Sequence, residues 1–145
     1  MDSKRVLFIS QEIHPYLPEN KISSTTLALA RMRGEALRHR VRRDRAEGKR
    51  PWLVVANGGA TNTGTVDALD ELAEVSRQEN LWLHVDAAYG WAAALTPSGK
   101  ERLKGVERAD SVTLDPHKWF AQTFEAGCVL VRDGKRLGDT FALRP

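Results

Sequence analysis

Apolar residues recur along this chain in two rhythms. Short, nearly continuous apolar runs at Val6 to Ile9, Trp52 to Ala56, Leu81 to Val85, Ser111 to Leu114 and Cys128 to Val131 predict buried strands. Stretches with apolar positions three and four apart predict helices. Asp67 to Glu79 places Leu69, Leu72 and Val75 on one stripe and Asp70, Glu71, Glu74 and Arg77 on a wet face. Ser23 to Glu47 reads as a longer helix with an interruption at Gly34, its apolar face carrying Leu37 and Val41. Ser98 to Leu103 predicts a short helix. Pro15 and Pro18 punctuate a loop from Ser10 to Lys21, and Gly48-Lys49-Arg50-Pro51 ends the long helix.

Strands alternating with helices predict an α/β fold, a mostly parallel sheet flanked by helices. Ligands of such sheets bind beyond the carboxyl ends of the strands. Thr61 follows the strand at 52–56, Asp86 ends the strand at 81–85, and Lys118 follows the strand at 111–114. If those strands are parallel neighbours, three chemistry-bearing residues meet at one edge.

With 145 residues, 41% of them hydrophobic, the chain has the size of one domain and an ordinary globular composition. Charge adds one feature. Residues 31–50 carry nine Lys or Arg against Glu35, Asp44 and Glu47, a local +6 in a chain of net +3, so the remainder is acidic by 3. No aromatic residue interleaves this run to stack bases, so it reads as a helix with Arg38, Arg42 and Arg45 in water rather than a nucleic-acid surface. One cysteine, Cys128, excludes an internal disulfide framework and suits a reducing compartment. No apolar stretch approaches a signal peptide or a membrane span, so the expected location is the cytoplasm. Gly59 to Gly64 has the outer spacing of a phosphate loop, but Thr65-Val66 stands where Lys-Ser/Thr is required, and the glycines more simply make a turn. The histidines and Cys128 show no metal-ligand spacing.

The chemistry concentrates in Leu81-Trp82-Leu83-His84-Val85-Asp86-Ala87-Ala88-Tyr89-Gly90 and Ala109-Asp110-Ser111-Val112-Thr113-Leu114-Asp115-Pro116-His117-Lys118-Trp119. The first delivers a carboxylate, Asp86, at a strand end; the second delivers an amine, Lys118, behind the next strand. A pyridoxal phosphate site needs that pair, the amine for a Schiff base and the acid for the pyridinium nitrogen. Asp86 at the end of an apolar strand is expected to need a cationic partner. Trp119 and Phe120 are expected to wall a pocket that desolvates Lys118.

His-Val-Asp-Ala-Ala, Ala-Asp-Ser and Pro-His-Lys-Trp, in this order and with Lys118 32 residues after Asp86, resemble the group II pyridoxal phosphate-dependent amino acid decarboxylases. The resemblance spans most of residues 51–131, from Pro51-Trp52-Leu53-Val54-Val55-Ala56 to Gly127-Cys128-Val129-Leu130-Val131, and extends more weakly over residues 6–21. It implies a fragment of the fold type I (aminotransferase-like) large domain with pyridoxal 5'-phosphate as cofactor. It implies decarboxylation of a small-molecule amino acid substrate through Lys118, with Asp86 on the ring nitrogen and Ala88 against the ring. By the same resemblance Thr61 bonds near the ring or the substrate carboxylate, His14 stacks on the opposite ring face, and His117 buttresses the cofactor phosphate or the lysine loop, as Ser111 or Thr113 also could. His84 reads as a satisfied core histidine and His39 as a surface residue.

Residues 1–145 then correspond to part of a cofactor-binding large domain. The family's upstream phosphate-binding turn, its mobile loop with a catalytic tyrosine and its C-terminal small domain have no counterpart here. The expected partner is a homodimer mate or a complementing chain. Two alternatives stay open: a non-catalytic remnant or accessory α/β protein, and another fold type I enzyme such as a sulfur lyase or aminotransferase.

Overall fold

The computed structural model describes residues 31–141. The predicted strand at 6–9, the loop bearing His14 and the first part of the long helix lie outside them. Within the described residues, α1 (Gly34–Ala46), β1 (Leu53–Asn57), α2 (Leu69–Gln78) and β2 (Trp82–Asp86) follow in order. After two short 3-10 turns, Trp91–Leu95 and Val106–Arg108, which flank α3 (Pro97–Arg102), come β3 (Ser111–Leu114), α4 (Pro116–Trp119), β4 (Cys128–Val131) and α5 (Gly134–Phe141). The four strands form one sheet in the order β1-β2-β3-β4. β2 is parallel to β1 and to β3, and β4 closes the edge antiparallel. The expected mostly parallel α/β sheet is present.

Strand alternation sorts the side chains. Val54, Ala56, Leu83, Val85 and Val112 are buried together with Leu37 and Val41 of α1 and Leu69, Leu72 and Val75 of α2. α2 packs on β1 and β2, and α1 packs on α2. Trp82, His84, Asp86, Ser111 and Thr113 occupy the other face of β2 and β3.

Among the described residues the long helix begins at Gly34, and residues 31–33 lie outside it. Met32 donates its N–H to Asp67 Oδ1 at 2.7 Å and accepts from the Ala68 N–H at 3.0 Å, so its backbone groups are committed to another segment and cannot join a helix ladder. Gly34 is where the chain can turn into α1, because a Cβ there would lie 2.9 Å from Glu71 Cβ and 3.2 Å from the Glu71 carbonyl oxygen. Its N–H donates to Glu71 Oε2 at 3.0 Å.

The basic stretch proves to be the counter-charge of α2. Arg33 pairs with Glu71 at 2.9 Å, Arg45 pairs with Glu79, and Arg38 donates to Gln78 Oε1 at 2.7 Å. Arg38 and Arg45, expected to face only water, thus reach a neighbouring helix. Arg40 and Lys49 close on buried Asp44; burial pushes that carboxyl up, but the two cations hold it below its ordinary value. Energetically the exposed pairs between α1 and α2 are secondary: each contributes about 0–1 kcal/mol, against about 1.5–3 kcal/mol for each Leu fully buried beneath them.

Asp67 is 1% exposed and joins three segments. One carboxylate oxygen accepts from Met32, the other from the Asn57 N–H at 2.7 Å and more weakly from its side-chain amide at 3.4 Å. Burial pushes its pKa up, and the backbone donors oppose that shift. Asp110 works similarly at the start of β3, where its Oδ2 takes the Leu83 N–H at 2.8 Å.

Asp67→Asn leaves one of two buried N–H groups facing an amide donor, so it should cost about 1–3 kcal/mol. Glu79→Gln, at an exposed pair, should cost under about 1 kcal/mol; urea denaturation of both variants checks the ordering. Glu74, bonded to Arg77 and Arg108, is held at about 2 instead of 4.5. Its contribution is present above about 4.5 and is lost as pH falls toward about 2. The gap in urea midpoint between wild type and Glu74→Gln should therefore narrow on acidification from pH ~6 and shrink in high salt.

Candidate functional site

Parallel pairing puts the carboxyl ends of β1, β2 and β3 at one edge. Asn57 is in register with Asp86, and Asp86 with Thr113. The loops leaving these strands are sewn to each other by backbone. Gly58 donates to the Asp86 carbonyl at 2.7 Å, Ala87 donates to the Thr113 carbonyl at 3.1 Å, and Asp115 donates to the Ala88 carbonyl at 3.3 Å. Gly90 lies so close to the turn after β1 that a Cβ would fall 2.0 Å from the Gly58 carbonyl oxygen. That requirement on Gly90 has no signal in the hydrophobic pattern.

Asp86 projects from the end of β2 and is exposed, not buried as the apolar strand implied. The strand ends before the core does, so the carboxylate reaches the open edge. Its Oδ1 accepts from the Ala88 N–H at 3.1 Å. Among the described residues no cation pairs with Asp86, and its second oxygen has no intramolecular partner. Among the described residues no structural salt bridge accounts for this carboxylate.

Lys118 sits in the single turn of α4, begun by Pro116 at a position where a missing N–H costs nothing. Its Nζ lies 2.9 Å from Asp115 Oδ2, and its side chain is one-third exposed. The expected desolvating pocket is not formed: Trp119 is 56% and Phe120 38% exposed. Trp119 instead meets the Tyr89 ring edge-on at 5.2 Å, which joins the lysine turn to the loop after Asp86 a second time. Asp115 was missed as a functional candidate; a carboxylate three residues before a lysine on one helical turn is the signal that could have shown it.

His117 turns away from the lysine amine. Its Nδ1 contacts the Ala126 carbonyl at 2.8 Å and its ring meets Phe124 edge-on at 5.1 Å, so it fastens the segment following α4. Thr61 is exposed in the turn beyond β1, which is closed by Gly64 and Ala60 at 2.7 Å. Ala88 is half-buried beside Asp86. Ser111 and Thr113 bond to His84 rather than to the lysine turn. His84 has both ring nitrogens satisfied, as expected, but it is part-buried on the face opposite the core rather than within it. His14 lies outside the described residues. A shallow cavity of about 400 Å³ opens at the opposite, amino ends of β2 and β3 beside Leu81 and Asp110, away from this chemistry.

Residues 22–145 match the pyridoxal-dependent decarboxylase conserved domain. This chain belongs to that family. It is 48% identical over 110 residues to the aromatic-L-amino-acid decarboxylase of Bacillus atrophaeus, covering 76% of this chain and 23% of the relative. With the histidine decarboxylase of Rattus norvegicus it shares 41% over 114 residues, 79% of this chain and 17% of the relative. The structure of Oryza sativa TDC with PLP and tryptamine superposes with a TM-score of 0.75 at 34% identity, over 80% of this chain and 24% of that one. The chain thus spans about a quarter or less of the length of these relatives.

The edge fits the ring of a pyridoxal cofactor: an ionisable carboxylate with no cation among the described residues, small residues at 87, 88 and 90, and an amine on the adjoining turn. Gly90→Ala should destabilise by about 1–3 kcal/mol through overpacking against Gly58. Urea denaturation checks this, with Gly134→Ala, whose Cβ would meet nothing within 4 Å, as the control.

Proposed function

We propose that this chain is the ring-binding part of a pyridoxal phosphate-dependent amino acid carboxy-lyase, residues 1–145 forming part of its large domain. The observation that carries the reading is the double fastening of the Lys118 turn to the Asp86 loop, through Ala88 and Asp115 and through Tyr89 and Trp119. It keeps an amine and an unpaired carboxylate at one strand edge in a chain of this family.

The cofactor, when bound, supplies an electron sink for the charge left on the substrate Cα as carbon dioxide departs. The chain supplies the rest. Asp86 holds a proton on the ring nitrogen by charge pairing, which at about 1.4 kcal/mol per pKa unit favours the cationic ring. Lys118 provides the amine that attaches the cofactor. Asp115 at 2.9 Å stabilises the protonated amine and is placed to take its proton when the free amine is needed. Ala88 and Gly90 leave room over the Asp86 loop, while His117 steadies the backbone after α4. Thr61 is assigned to the ring or substrate carboxylate and His14 to the opposite ring face.

The family match favours a carboxy-lyase over the sulfur lyase and aminotransferase alternatives. The relatives' names make aromatic L-amino acids the first substrates to try. A homodimer or a complementing chain is the proposed partner. Among the described residues no helix is long and apolar enough to cross a membrane. The lone free thiol of Cys128 supports a cytoplasmic location.

Absorption spectra of the chain with pyridoxal 5'-phosphate, before and after borohydride, followed by peptide mapping, test the reading. The expected result is one reduced adduct on Lys118, lost in Lys118→Ala. Adducts scattered over surface lysines in both proteins would favour the non-catalytic remnant instead.

A further inference from the structure

A chain of side-chain hydrogen bonds crosses the face of β2 and β3 that carries Asp86. Trp82 Nε1 donates to Ser111 Oγ at 2.9 Å, Ser111 Oγ meets His84 Nδ1 at 2.8 Å, and His84 Nε2 meets Thr113 Oγ1 at 2.9 Å. Proton order along this chain follows from the donor inventory. An indole N–H only donates, so Ser111 Oγ is the acceptor at that end. Ser111 is 7% exposed, and among the described residues Trp82 and His84 are the two partners of its hydroxyl. If His84 carried its proton on Nδ1, both neighbours would donate to Ser111, and the serine hydroxyl hydrogen would be buried without an acceptor. The opposite order pairs both Ser111 and His84: Ser111 donates to Nδ1, and Nε2 carries the hydrogen and donates to Thr113, which is only partly buried.

We propose that Trp82, Ser111 and Thr113 form a one-way relay that locks His84 as the neutral Nε2–H tautomer. β2 then offers Asp86 no cation, and the carboxylate stays reserved for a cationic cofactor ring. Trp82, Ser111 and His84 act through Asp86 and are positioning residues. This purpose rests on the cofactor reading above; the tautomer does not.

Surroundings agree with a neutral ring. Opposite His84 stand Val55 on β1 and Ser111 on β3, neither of them charged, with Thr113 alongside. Asp86, two residues along the same strand, is the charge that His84 feels. Burial pushes the His84 pKa down, the larger effect, and Asp86 pulls it up. A second proton on His84 would have to enter at Nδ1, the nitrogen that Ser111 already caps with a donated hydrogen. The relay thus opposes the pairing that Asp86 would otherwise invite.

Long-range proton–nitrogen correlation spectra of the 145-residue chain labelled at its four histidines, without cofactor, read the tautomer directly. His84→Gln assigns the signal. The expected wild-type pattern is a protonated Nε2 and an unprotonated Nδ1 that persists below pH ~6.5, where exposed histidines titrate. Ser111→Ala should raise the His84 titration midpoint by about one unit, a tenfold gain in proton affinity. Ser111→Thr, which keeps the hydroxyl, should restore the wild-type pattern. A proton on Nδ1 in the wild type, or the same midpoint in Ser111→Ala, would overturn the relay. Absorbance titration with pyridoxal 5'-phosphate then tests its purpose: Ser111→Ala should bind about tenfold more weakly at pH 6 and near normally at pH 8. Equal weakening at both pH values would mean a merely structural serine and would overturn the purpose. No binding by the wild type would remove the cofactor reading while leaving the tautomer result standing.

Discussion

Parallel pairing of β2 with both neighbours is the constraint on which the site depends. It sends the chain off the sheet at the same edge three times, after Asn57, Asp86 and Leu114. An antiparallel neighbour would have sent Lys118 to the far end of the sheet from Asp86. Parallel ladders need long return connections, and the chain supplies them with α2 between β1 and β2 and with α3 between β2 and β3. They also leave backbone donors at strand ends without strand partners. Buried Asp67 and partly buried Asp110 take such donors, from Asn57 and Leu83. These carboxylates fix where the strands begin and end, and so where Asp86 is delivered.

Charge is used in two ways that do not compete. On the outside, the basic run of α1 is matched to the acids of α2, so a segment of +6 stands beside its own counterions. At the strand edge the reverse holds. Among the described residues Asp86 is left without a cation while Lys118 is given Asp115. Separate partners for the two groups keep them from neutralising each other. That separation suits an acid reserved for a ring nitrogen and an amine that must gain and lose a proton.

Much of this was legible in the sequence because it is periodic. The strands at 111–114 and 128–131 lie where the apolar runs end, and the α/β pattern with its edge follows from alternation alone. The start of α1 was not legible, since it depends on Met32 bonding to Asp67, 35 residues away. A cationic partner for Asp86 and a pocket around Lys118 were expected from apolar neighbours in sequence. Those neighbours do not surround the residue: Trp119 and Phe120 follow Lys118 but point into solvent or onto Tyr89. Gly90 and the Ser111–His84 bond are cross-strand facts with no local period to announce them. The Ala-Asp-Ser motif was read as a marker of kinship, yet each of its residues has a packing or bonding task at the β2–β3 junction.

The central claim is that Asp86 is held free for a protonated ring nitrogen. Nitrogen-15 NMR of the chain loaded with pyridoxal 5'-phosphate labelled at that nitrogen measures the pairing directly. The account predicts a pyridinium shift in the wild type, moving toward the neutral pyridine range in Asp86→Asn. A neutral ring nitrogen in the wild type, or the same shift in both proteins, would contradict it.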